Sequence, residues 1–253
     1  MDPKGIPVIV TGGGSGLGAA VCRHFAECGA LLTVVDRDEA AAARVAHEIS
    51  ALHLGADVTA EDDVAYVVEK VARRHGPARI LVNCAGIGPA SRTVRRDGTP
   101  HPLELFRKVL DVNLVGSFAM ASRFAAALAT TSLIGEERGV IINTASIAAF
   151  DGQVGQTAYA ASKAAISGMT LPLARDLAPF GIRAVCIAPG MFMTAMFATV
   201  SEEIRASLAA HAPFPRRIGD PAEFATLVEH VVRNPMLNGE TIRLDAAVRM
   251  PPQ

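Results

Sequence analysis

The stretch Ile6-Pro7-Val8-Ile9-Val10-Thr11-Gly12-Gly13-Gly14-Ser15-Gly16-Leu17-Gly18 decides how the chain is read. It opens with a short apolar run, the pattern of a strand buried on both faces. The run leads straight into glycines. A helical pattern follows through Val21, Phe25 and Cys28 and stops at Gly29. Strand, glycine turn and helix together make the setting that a dinucleotide requires. Glycines let the backbone approach a pyrophosphate, and the helix N-terminus offers free N–H groups at the positive end of its dipole. The spacing of Gly12, Gly16 and Gly18 is G-x-x-x-G-x-G, not the commoner G-x-G-x-x-G. A glycine-rich turn that binds nothing would carry the same glycines, but the flanking strand and helix favour the nucleotide.

Outward from this turn, strand and helix alternate. Leu31 to Val35 reads as a strand ended by Asp36. An acidic residue about 20 residues beyond such glycines can hydrogen-bond ribose hydroxyls. Its charge repels a 2′-phosphate, which favours NAD over NADP, although Arg37 could bind that phosphate. Asp36 could also cap the Ala-rich helix over residues 38–49. Residues 51–56 read as a strand closed by Asp57-Val58, and residues 61–74 as a helix with acids first and Arg73-Arg74 last, in line with its dipole. Ile80-Leu81-Val82 is a strand ending in Asn83-Cys84-Ala85-Gly86. The expected fold is α/β: one Rossmann-type domain over residues 1–253, a doubly wound parallel sheet of about seven strands with helices on both faces. Ligands of such sheets sit beyond the carboxyl ends of strands, where Asp36, Asp57 and Asn83 fall.

Residues 87–103 break the pattern at Pro89, Gly98, Pro100 and Pro102, and they carry Arg92, Arg95 and Arg96. Leu103 to Thr130 reads as one long helix. Asn113 lies in it amid Val109, Leu110, Val112, Leu114 and Val115, and a polar group there calls for a partner, functional or structural. Residues 140–146 read as a strand with Ser146 at its carboxyl end. After a Gly/Gln-rich loop comes a helix holding Tyr159 and Lys163, four apart and so on one face. A phenol is a poor base at neutral pH. An ammonium a few ångströms away favours the phenolate, so the pair suits removal of an alcohol proton, with Ser146 holding the substrate oxygen. An amphipathic helix with one surface Lys and one half-buried Tyr would look similar. Pro172 should kink this helix or end its first segment. Residues 182–188 read as a strand ending in Pro189-Gly190. Residues 191–215, with Met191, Phe192, Met193, Met196, Phe197 and Phe214, read either as a lid over an apolar substrate or as core packing. A helix over 221–233 and a strand over 241–244 finish the chain.

Composition bounds the function. The chain has 253 residues, 50% of them hydrophobic and 19% charged, which suggests surface buried between subunits. A formal net charge of −1 gives no reason to expect nucleic acid or an acidic membrane as partner. The four cysteines form no C-x-x-C pair and read as free thiols of a reducing compartment, the cytoplasm or, in a eukaryote, the mitochondrial matrix. The seven histidines show no metal-ligand spacing, so no metal is expected. Residues 1–5 are polar and the apolar run after them is too short for a secretory leader. No apolar stretch is long enough to span a membrane.

Taken together, these motifs resemble the classical short-chain dehydrogenase/reductase family along nearly the whole chain. Thr11-Gly12-x3-Gly16-x-Gly18 looks like its cofactor turn. Asn83-Cys84-Ala85-Gly86 is similar to its N-N-A-G segment, with Cys84 at the second Asn. Asn113, Ser146, Tyr159 and Lys163 stand where the family's catalytic tetrad stands, and Pro189-Gly190-x3-Thr194 resembles its nicotinamide-binding segment. Further segments are similar to the branch of the family that acts on 3-hydroxyacyl-CoA thioesters and hydroxysteroids. They are Arg138 through Gly155, Gly168-Met169-Thr170-Leu171-Pro172, Ala174 through Pro179, Pro213-Phe214-Pro215, Gly219 through Glu223 and Asn238-Gly239-Glu240. The resemblance implies NAD, a homotetramer, and oxidation of (S)-3-hydroxyacyl-CoA to 3-oxoacyl-CoA in fatty-acid or branched-chain amino-acid breakdown. It also implies that Ser15, Leu17, Asp36, Asp57, Val58, Cys84 and Phe192 line the cofactor site, and that Gln153 lies near the substrate. Asn113 would anchor a proton-relaying water. The segment Met191 to Thr199 is bulkier than the family's. Rival expectations are a hydroxysteroid or other secondary-alcohol dehydrogenase and, in a different class, an NAD-binding scaffold subunit.

Overall fold

A computed structural model describes residues 1–194 and 201–252 of the chain. Seven strands make one parallel sheet: β1 (Pro7–Thr11), β2 (Leu31–Asp36), β3 (Leu52–Gly55), β4 (Ile80–Asn83), β5 (Gly139–Thr144), β6 (Ile182–Pro189) and β7 (Thr241–Leu244). Their order is β3-β2-β1-β4-β5-β6-β7. β1, β4, β5 and β6 are buried along their whole length, which is why each reads as a mainly apolar run.

Successive side chains on a strand point to opposite faces. Val8, Val10, Val82 and Ile142 meet one helical layer, formed by α1 (Gly16–Glu27), α2 (Glu39–Glu48) and α8 (Pro221–Arg233), through Val21, Phe25, Val45 and Phe224. Ile9, Leu81 and Ile141 meet the other, formed by α3 (Glu61–His75) and α5 (Gly116–Leu128), through Val67, Val71, Phe124 and Leu128. The chain winds outward in both directions from β1 and β4, which are hydrogen-bonded neighbours. A crevice opens at such a switch point, beyond the carboxyl ends of the strands.

Three elements differ from their sequence reading. The long helix is divided into α4 (Leu103–Leu110), a π-helical turn Asp111–Val115, and α5. The wider turn accommodates Asn113, whose side chain bonds outside its own helix. β5 ends at Thr144, so Ser146 stands two residues past the strand, as the N-cap of the 3-10 turn Ile147–Ala149. Finally, α6 (Thr157–Leu177) continues through Pro172, which does not end it. The helix α7 (Glu202–Ala209) lies between β6 and α8. No described helix is long and apolar enough to cross a membrane.

Candidate active site

The glycine turn is built by close approach. Gly12 has φ +64°, and a Cβ there would lie 2.7 Å from the backbone nitrogen of Ala85. Only glycine lets the end of β1 pass so near the end of β4. A Cβ on Gly18 would lie 2.2 Å from the Gly12 carbonyl, so the same logic seats α1 against the turn. Ser15 holds the N-cap position without a side-chain capping bond, and no acid occupies the first turn. The free N–H groups and positive dipole end of α1 are therefore offered to the cleft, which Ser15, Gly16, Leu17 and Gly18 line.

At the end of β2, the Asp36 carboxylate accepts from the Gly14 N–H and the Asp38 N–H, each at 3.0 Å. The cap of α2 is Asp38, which accepts from the Ala41 N–H, so Asp36 does not have the capping role its position allowed. Asp36, Arg37, Asp57 and Val58 close this end of the cleft. The Thr59 N–H and hydroxyl hold the Asp57 carboxyl below its usual range, against the opposing effect of burial.

Cys84, Ala85 and Gly86 line the cleft, but Asn83 does not. Asn83 is buried, donates to the Ser117 carbonyl at 3.1 Å and to Asn143 Oδ1 at 2.9 Å, and faces Thr11. Expected at the cofactor, its side chain instead ties β4 to β5 and α5. Strand alternation is the reason: it sends residue 83 to the face covered by α5 and residue 84 to the opposite face, on the side of α1. Burial pushes the Cys84 thiol up to about 11, although the Thr144 hydroxyl and Lys163 favour its thiolate. It is a neutral wall residue near pH 7.

Tyr159 and Lys163 share a face of α6, with the ammonium 5.7 Å from the ring centre. Lys163 is buried, yet its only hydrogen bond among the described residues goes to the Thr144 carbonyl, at 2.7 Å. Its remaining donors are open to a ligand. The Tyr159 hydroxyl bonds none of the described residues, and Gly88 lies against the ring, where a Cβ would be 3.3 Å away. Ser146 Oγ accepts from the Ala148 N–H at 3.1 Å, leaving its own proton to donate. All three line one cleft.

Asn113 does not line it. Fully buried, it accepts from the Ile87 N–H and donates to the Ile87 carbonyl and to Ser162 Oγ. Ser162 in turn donates to the Tyr159 carbonyl at 2.7 Å. The side chain of Asn113 is thus spent on joining the β4 end to α6. Its own carbonyl accepts from Ser117 Oγ at 2.7 Å. Both amide hydrogens of Asn113 are used within the protein, while its Oδ1 accepts only from the Ile87 N–H.

Pro189, Phe192 and Thr194 lie along the same cleft. Phe192 also packs edge-on against Phe224, and Thr194 passes over Gly16. Gln153 lines the cleft while donating to the Pro251 carbonyl at 3.1 Å. Sequence reading missed Gln156, Leu208 and Met250, which line the cleft too. Of these only Leu208 had a signal, its place in the apolar 191–215 segment. Within that segment Phe192 is core, Phe214 is 82% exposed, and Met196 and Phe197 lie outside the described residues. The cleft measures about 660 Å³ and runs from Asp36 to Met250. An uncapped helix start, an anion at the ribose end and a buried, underused ammonium fit a nicotinamide dinucleotide.

The arginine loop leaves the cleft at Gly88 and is pinned where the Ser91 N–H donates to the Gly155 carbonyl at 2.8 Å. Arg92, Arg95 and Arg96 are exposed, form no ion pair among the described residues, and do not line the cleft itself. Away from it, the donor atoms of His24, Cys28 and Glu229 come within 4.8 Å of one another. Glu229 is already bound there by His24 at 2.6 Å and Arg233 at 2.7 Å, a network that fastens α1 to α8.

The chain is similar to known proteins along nearly its whole length. The chain is 47% identical to 3-hydroxyacyl-CoA dehydrogenase type-2 of Homo sapiens, across 98% of this chain and 97% of that one. It is 45% identical to the protein of the same name from Drosophila melanogaster, across 96% and 97%. The crystal structure of 3-hydroxyacyl-CoA dehydrogenase type-2 from Mycobacterium avium superposes with a TM-score of 0.94 at 40% identity, covering 98% of both chains. The short chain dehydrogenase family model matches residues 7–205. The chain belongs to the short chain dehydrogenase family and is one of its nicotinamide-dependent oxidoreductases.

Proposed function

We propose that this protein interconverts (S)-3-hydroxyacyl-CoA and 3-oxoacyl-CoA with NAD as its cofactor. The observation that carries the reading is a single cleft in which Ser146, Tyr159 and Lys163 face the space beside an uncapped α1 and Asp36. The names of relatives at 45–47% identity supply the substrate class. The dinucleotide, when bound, supplies the hydride acceptor or donor. Tyr159 takes the hydroxyl proton in oxidation and returns it in reduction. Ser146 donates a hydrogen bond to the reacting oxygen and orients it. Lys163 stabilises the phenolate by charge and offers its free donors to the ribose. Asn113, through Ile87 and Ser162, fixes the backbone that carries Tyr159. Asp36 meets the adenosine ribose and disfavours a 2′-phosphate.

Two further readings accompany this one. α6 exposes a strip of Ala161, Ala164, Gly168 and Leu171, and a Cβ on Gly168 would meet nothing within 4 Å. That strip, with the apolar composition, supports a homotetramer. The four free cysteines suit a reducing compartment such as the cytoplasm or mitochondrial matrix. The deciding experiment compares acetoacetyl-CoA with a ketosteroid, each reduced with NADH. A higher kcat/KM for the ketosteroid would replace the thioester as substrate, and no turnover of either would favour a scaffold.

A further inference from the structure

A second cavity of about 250 Å³ adjoins the cleft. Its walls are mostly carbon, from Met191, Phe192, Ala212, Pro215, Leu244 and Val248, while Asp245 and the exposed Arg217–Glu223 pair also line it. Met191 and Phe192 line both spaces. Phe192 is held in the core by Phe224 and by Gly219, where a Cβ would lie 2.7 Å from the ring. Met191 is only partly buried and packs, with Met250, against the small cluster of Ile147, Ala212 and Val248. Ile147 follows Ser146 directly and lines the cleft. A fixed phenylalanine and an unbranched, readily re-packed methionine therefore stand between the reacting centre and the cavity.

Building on the acyl-thioester reading, we propose that this cavity is a distal acyl subsite. The ω-end of a longer acyl chain enters it past a displaced Met191 while the carbonyl stays at Ser146 and Tyr159. The space is too small for a whole ligand of ordinary size but suits part of one. Its predominantly carbon walls reward methylene groups, and the charges at its edge are already paired, Arg217 with Glu223 and Asp245 with Arg243. The tail segment closes the far side and is itself held. Arg243 binds Asp245 at 2.8 Å, Asp151 at 2.6 Å and the Val248 carbonyl at 3.0 Å, so the wall formed by Val248 is anchored to the sheet.

The test is a chain-length series of acetoacetyl-, 3-oxooctanoyl- and 3-oxododecanoyl-CoA, reduced with NADH. In the wild type, kcat/KM should rise with length by up to about fourfold per methylene that reaches the cavity. Ala212→Phe fills the cavity and should lower kcat/KM for the dodecanoyl substrate about tenfold or more while acetoacetyl-CoA is turned over normally. Leu244→Phe narrows it from the sheet side and should act the same way, which guards against a folding defect peculiar to Ala212. Met191→Ala joins the two spaces and should raise the dodecanoyl-to-acetoacetyl ratio. A wild-type profile flat in length, or Ala212→Phe and Leu244→Phe that both keep the wild-type ratio, overturns the subsite. Failure of the wild type to reduce acetoacetyl-CoA instead overturns the thioester reading beneath it.

Discussion

Lys163 holds its ammonium 5.7 Å from the centre of the Tyr159 ring, one turn further along α6. A buried cation whose one hydrogen bond among the described residues goes to a carbonyl is costly unless something else uses it. Here the nearby phenol and the open cleft use it. Tyr159→Phe keeps the ring and its contact with Gly88 and deletes the group that moves the proton. We expect kcat to fall by about 10²–10⁴ or more. Cofactor affinity, measured by quenching or calorimetry, should change little. Near wild-type turnover would end the proposed role of Tyr159.

The cofactor preference rests on Asp36. Its carboxylate is oriented by two backbone N–H groups at the end of β2 and lines the cleft, with Arg37 beside it. The charge should exclude a 2′-phosphate, so kcat/KM with NAD should exceed that with NADP. Asp36→Ala should shrink this difference chiefly by admitting NADP. A wild-type preference for NADP would mean that Arg37 governs the site.

The arginine loop gives a prediction about binding alone. Arg95 and Arg96 are exposed and form no ion pair among the described residues, beyond a segment that starts against Tyr159. A thioester's CoA phosphates must stay outside the acyl pocket, and guanidinium forks suit phosphate. Replacing both with Ala should raise KM for acetoacetyl-CoA severalfold and leave kcat intact, because the lost contact is the same in ground and transition states. The wild-type KM should rise with salt. Equal KM values at low salt would make this a loop that binds nothing.

How much of this was legible beforehand follows from what kind of signal each part leaves. β1, β4, β5 and β6 are buried on both faces, so their apolar runs marked them to within a residue or two. The glycine turn was legible because close backbone approach admits only glycine at Gly12 and Gly18. Tyr159 and Lys163 were legible through helical spacing. The direction of a strand-end side chain was not: Asn83 and Cys84 are adjacent in the motif, yet one faces Asn143 and the other the cleft. Nor was the π-helical turn at Asn113, whose side chain bonds Ile87, 26 residues away. Met250 left no local pattern at all. It reaches the cleft because distant backbone bonds, such as that from the Val154 N–H to the Pro252 carbonyl, lay the tail there.

Arg183, at the start of β6, and Glu137 are both almost fully buried and meet at 2.7 Å. Arg183 also donates to the carbonyls of Val231, Val232 and Leu237, so it cannot turn away to solvent without breaking the α8 connection. Burial alone would push the Glu137 carboxyl up, but bonding to Arg183 and to the Met1 ammonium, 2.9 Å away, prevails and holds it below its ordinary 4.5. Glu137→Gln preserves shape and leaves the buried guanidinium and the Met1 ammonium without their counter-charge. Breaking such a pair costs about 3–5 kcal/mol, or roughly 6–20 °C in Tm for a chain of this size. The pH dependence follows from the lowered value. A carboxyl whose folded value is depressed stabilises fully above its unfolded value and loses that contribution as pH falls through the folded one. The Tm gap between wild type and Glu137→Gln should therefore stay constant near neutral pH and narrow as pH drops below 4.5. Melting curves collected across that range check both halves of the argument. A gap that is small at neutral pH, or one that persists unchanged in acid, would show that the hydrogen bonds to carbonyls, and not the ion pair, hold this corner of the fold.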